Sequence, residues 1–75
     1  MNPAVEYRKV QSQLREVIDR LPLALNNHIA RQEQTPSFWC HVADVKHARL
    51  EVLRVLAFLG DIEAKEELHA EGGER

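Results

Sequence analysis

Apolar residues along this chain recur at alternating spacings of three and four, the period of an α-helix that turns one side toward a neighbour. The longest such run, Ser37 to Gly60 (SFWCHVADVKHARLEVLRVLAFLG), predicts a central helix. Phe38, Val42, Val45, Arg49, Val52, Leu56 and Leu59 share one side of it in coiled-coil-like register, and Arg49 is the one charged member. Trp39, Leu50, Leu53 and Ala57 lie beside that seam, while Val55 and Phe58 add apolar area on further sides. From Val52 to Leu59 the helix is apolar nearly all round, so it needs several neighbours or a place inside an assembly. At about 1.5 Å per residue this helix would extend roughly 35 Å.

The same rhythm opens the chain. Asn2 can cap a helix whose first position is Pro3, where a missing N–H costs nothing. Tyr7, Val10, Leu14, Val17 and Leu21 then form a narrow seam flanked by Ala4 and Ile18, and the pairs Arg15/Asp19 and Glu16/Arg20 belong to a solvated face. Pro22 removes a backbone donor and disfavours helical geometry at Leu21, which predicts a bend. A second helical piece follows from Pro22 to about Gln32, with Leu21, Leu25, His28, Ile29 and Gln32 on one side.

Gln34-Thr35-Pro36-Ser37 is the clearest boundary, because Thr35 or Ser37 can cap the central helix and Pro36 fits its first turn. At the far end two outcomes are open. Gly60 either ends the central helix, with Asp61 capping a short third helix built on Ile62, Ala64 and Leu68, or lies inside one continuous helix at about 1 kcal/mol relative to alanine. Residues 71–75 have no apolar member and are expected to form a disordered tail, leaving 1–70 as a single helical domain.

Two seams of matching period joined by a reversing connector predict an all-α fold, an antiparallel helical hairpin with a short third helix. A chain of 75 residues hides only about 60% of its unfolded surface. Pairing two hairpins into a dimeric four-helix-type bundle would cover the apolar end of the central helix, so a homodimer is expected.

Composition narrows the function classes. Ten Lys/Arg against twelve Asp/Glu, interspersed, give a net charge of −2 and no arm or tail that would steer a charged partner. An aromatic share of 5% argues against a base-stacking platform. The single cysteine, Cys40, excludes an internal disulfide framework, and no run approaches the ~18 apolar residues of a membrane span, which fits a cytoplasmic protein away from membranes.

Candidate chemistry is sparse. Cys40, Asp44, His47 and Glu51 form a stripe on the central helix, and Asp44 with His47 has the spacing of helical metal pairs. The apolar seam assigns that stripe to the outer face, whereas bundle metal sites point inward, so it reads as a solvated polar face with no metal and no cofactor. Cys40 and His41 are sequence neighbours and point about 100° apart, which makes no dyad. With no Gly-rich loop and no nucleophile motif, the chain reads as a non-enzyme. His28 and His69 read as ordinary surface residues.

A turn before a helix carrying Lys46, Arg49 and Arg54 offers a DNA-associated transcriptional regulator as the alternative, although these cations spread over different faces. The leading expectation is a small protein–protein interaction module, a regulator or inhibitor that covers a groove on a partner protein. Small bacterial and phage-encoded regulators share that format by analogy alone. Its expected partner-binding residues are Tyr7, Trp39, Arg49, Leu50, Leu53 and Phe58. Arg49 is expected either to reach water from a packed stem or to pair with an acidic residue such as Glu16 or Asp19. A purely structural, self-associating subunit is the third reading.

Overall fold

The computed structural model describes residues 2–71, which are helical apart from short connectors and contain no strand. Four helices follow in order: α1 (Pro3–Asp19), α2 (Leu21–Gln34), α3 (Trp39–Phe58) and α4 (Ile62–Ala70). The all-α expectation holds. The chain divides between Pro36 and Ser37 into an N-terminal and a C-terminal compact unit, at the boundary marked by Gln34-Thr35-Pro36-Ser37.

In the N-terminal unit α1 starts as its residues dictate. The Asn2 side chain accepts the Ala4 N–H at 2.9 Å and Pro3 takes the first helical position. Only Arg20 separates α1 from α2, and it keeps near-helical angles, φ −85° and ψ −10°. Its N–H donates to the Val17 carbonyl at 3.1 Å and its carbonyl accepts the Ala24 N–H at 3.0 Å. Pro22 fits the first turn of α2 but has no N–H for the carbonyl four residues back, at Ile18, so the path bends and continues. Thus α1 and α2 make one long bent helix. α2 reaches Gln34, past the expected end near Gln32, because Thr35 closes it. The Thr35 N–H donates to the Gln32 carbonyl at 3.1 Å and its hydroxyl to the Arg31 carbonyl at 3.4 Å.

That use of Thr35 shifts the start of the C-terminal unit. Neither Thr35 nor Ser37 caps α3, and Pro36 sits in the connector instead of the first turn. The N-cap is Phe38, extended at φ −84° and ψ 116°, with no side-chain cap bond. Its ring stacks on His41 with centroids 6.2 Å apart and planes at 14°, and its carbonyl accepts the His41 N–H at 3.3 Å. α3 is therefore 20 residues long, about 30 Å, shorter than Ser37 to Gly60 implies.

Gly60 ends α3. It takes φ +108°, its N–H donates to the Ala57 carbonyl at 3.1 Å, and the Asp61 N–H donates to the Leu56 carbonyl at 2.9 Å. These two bonds are the Schellman pattern, which satisfies carbonyls that a helix end otherwise leaves bare. The Asp61 carboxylate then accepts the Ala64 N–H at 2.9 Å and starts α4.

The chain reverses at this turn, and α4 packs back along α3. Leu53 on α3 (8% exposed) and Ala64 on α4 (2%) are the buried residues among those described. Half-buried Leu50, Ala57 and Leu68 surround them. A small side chain at Ala64 lets the short helix approach closely. Within the C-terminal unit the packed pair of helices is thus α3 with α4. No helix among the described residues is long and apolar enough to cross a membrane.

Candidate interaction surface

Every large apolar side chain on the long bent helix from Val5 to Ile29 is exposed, as are those on α3 outside the stripe that α4 covers. Two apolar seams result. On α1, Tyr7, Val10, Leu14 and Val17 keep between 40% and 70% of their surface accessible. On α3, the seam and the positions beside it differ in exposure. Leu50, Leu53 and Ala57 turn toward α4, whereas Val42, Val45, Val52 and Leu56 lie to one side and stay exposed. α3 therefore has two apolar sides and α4 occupies one.

A third apolar feature caps this pair of helices. Phe58 and Leu59 precede Gly60 and Ile62 follows it, with exposures of 87%, 60% and 68%. Ile62 is part of the short helix, as expected, and its side chain lies open at this tip. As the first residue of α4 it lies beside the turn, and the packed face begins at Ala64. The Gly60-Asp61 boundary signal places Ile62 correctly on the helix but does not tell which face it takes.

Of the residues expected to meet a partner, Tyr7, Trp39 and Phe58 are openly exposed. Trp39 and Phe58 stand at opposite ends of α3 and do not share one patch. Leu53 is buried in the C-terminal unit and Leu50 is half-buried.

Arg49 has a partner that neither Glu16 nor Asp19 supplies. Its Nη1 donates to Glu71 Oε2 at 2.9 Å and its Nη2 to Glu67 Oε1 at 3.3 Å. The two carboxylates sit one turn apart at the C-terminal end of α4, where the helix dipole is unfavourable to negative charge. One guanidinium fork across both offsets that repulsion and ties α4 to α3 beyond its apolar stripe. Side-chain exposures of 52% for Arg49 and Glu67 and 40% for Glu71 put the clamp in a solvated setting. Glu71, expected to lie in the tail, is thus part of the unit; residues 72–75 lie outside those described. The signal was present as carboxylates four apart after a glycine turn, but their distance from Arg49 depends on the reversal at Gly60.

The polar stripe of α3 is laid out as a solvated face. Cys40, Asp44, His47 and Glu51 are all exposed. Glu51 accepts from Arg54 Nη1 at 2.6 Å and lies 3.7 Å from His47 Nε2, so its carboxylate is taken up by an i, i+3 cation. Of the cations considered for DNA contact, Arg49 and Arg54 are each directed onto carboxylates of this same unit. The chain matches no family model, no curated protein and no solved structure among known proteins.

Proposed function

We propose that this chain is a non-enzymatic protein–protein interaction module, working as a regulator or inhibitor that lays an apolar helix face into a groove on a partner protein. The observation that carries the reading is the disproportion between covered and open apolar surface. Leu53 and Ala64 are buried, while twenty large apolar side chains among the described residues remain exposed. Apolar patches of this extent on a soluble chain mark association surfaces. The free side of α3, centred on Val45 and Val52 and continued by the Phe58, Leu59 and Ile62 tip, is the surface we assign to the partner. Helix-in-groove recognition uses anchors at that spacing.

Self-association belongs to the same reading, since a small chain with so slight an interior gains stability by oligomerising. A homodimer is the assembly we propose. The exposed, single Cys40 suits a reducing cytoplasm, where it stays a free thiol. A DNA-associated regulator is the less supported alternative, because Arg49 and Arg54 would have to leave their carboxylates to reach phosphate.

The experiment is affinity capture from the cells that encode the chain, with wild type beside the double variant V45E/V52E. A protein held by wild type and released by the variant, with helix content unchanged, supports the assignment. An identical captured set for both, or none for either, overturns it.

A further inference from the structure

The α1 seam has flanks with a definite pattern of charge and size. In the heptad set by Tyr7, Val10, Leu14 and Val17, the positions on one side of the seam are Glu6, Gln13 and Arg20, and on the other Ala4, Gln11 and Ile18. All are exposed, and neither Glu6 nor Arg20 makes an ion pair among the described residues. When two copies of such a helix pair antiparallel, each flank meets the same flank of the other copy.

We propose that α1 is a homodimerisation surface and that it pairs antiparallel with α1 of a second copy. Tyr7 then packs opposite Val17 of the second copy and Val10 opposite Leu14, each twice by symmetry. That register places Glu6 beside Arg20 of the second copy at both ends. It also sets Gln13 against Gln13 and Gln11 against Gln11 about the two-fold axis, where amides donate and accept in turn. Ala4 faces Ile18, a small residue against a large one. A parallel pairing has none of this: Glu6 would face Gln11, and Gln13 would face Ile18. An antiparallel shift by one heptad in either direction loses the Glu6–Arg20 match, and the shift away from Leu21 also loses an apolar layer. The charge and size pattern therefore selects the second copy as occupant, and selects its direction.

This inference deepens the association reading and rests on it, but it concerns α1 and not the α3 surface assigned to the partner. Sedimentation equilibrium on the full chain tests it with five samples: wild type, E6R, R20E, E6R/R20E, and an equimolar mixture of the two single variants. Circular dichroism checks that helix content is kept. Wild type is expected to dimerise, and each single variant, which sets like charges together at both ends, to dissociate about tenfold more readily at low salt. The double variant and the mixture restore opposite charges at both ends and should return to within about threefold of wild type.

A double variant or mixture no tighter than the singles overturns the antiparallel pairing. So does a dimer indifferent to every variant, which leaves association itself standing. A wild type monomeric throughout overturns this dimer, while the V45E/V52E capture decides the partner surface separately.

Discussion

Gly60 holds a backbone conformation, φ +108°, that side-chain-bearing residues rarely adopt, and nothing lies within 4 Å of where a Cβ would stand. The requirement is conformational alone, so Gly60→Ala is expected to destabilise the C-terminal unit by about 1 kcal/mol, read by urea denaturation. Leu53 is a different case, because it fills the space against α4. Leu53→Ala should cost about 2 kcal/mol or more, whereas Phe58→Ala, at an 87% exposed position, should change stability by less than about 0.5 kcal/mol. Equal losses at the two positions would contradict the assignment of Leu53 to the interior and Phe58 to the open surface. The sequence pattern marks both as apolar members of one crowded segment. Only the direction from which α4 arrives distinguishes them, and that direction depends on the turn.

At the scale of elements, local chemistry was readable wherever a cap or a break is encoded within four residues. Asn2-Pro3, Pro22, and Gly60-Asp61 act as their side chains dictate. Thr35-Pro36-Ser37 could serve either neighbour, and Thr35 closes α2 while Phe38 opens α3. The Arg49 clamp was not readable, since its carboxylates come from another helix. Being solvated, the clamp is worth less than about 1 kcal/mol, so Arg49→Leu is expected to change unfolding free energy only slightly and to remove part of its salt dependence. A loss of several kcal/mol would mean that α4 depends on the ion pairs more than on Leu53 and Ala64. Pro22→Ala should restore a donor and raise helix content by far-ultraviolet circular dichroism, straightening the path from α1 into α2.

For the whole molecule, little of the apolar surface among the described residues is covered by the chain itself. Two small packed positions in the C-terminal unit and none in α1 or α2 leave most hydrophobic stabilisation unrealised. The sequence shows the surplus as an all-round apolar stretch in the central helix, and the structure extends it to α1 and to the tip at Gly60. The amount of apolar surface is legible from periodicity, but its occupant is not; the pairing we propose for α1 draws on the flanking Glu6 and Arg20. The most direct measurement is sedimentation equilibrium of the purified chain over a wide concentration range, with Leu14→Glu alongside. The account predicts reversible association by wild type that the variant weakens strongly. A wild-type chain that stays monomeric at every concentration and still unfolds in one cooperative transition would contradict it.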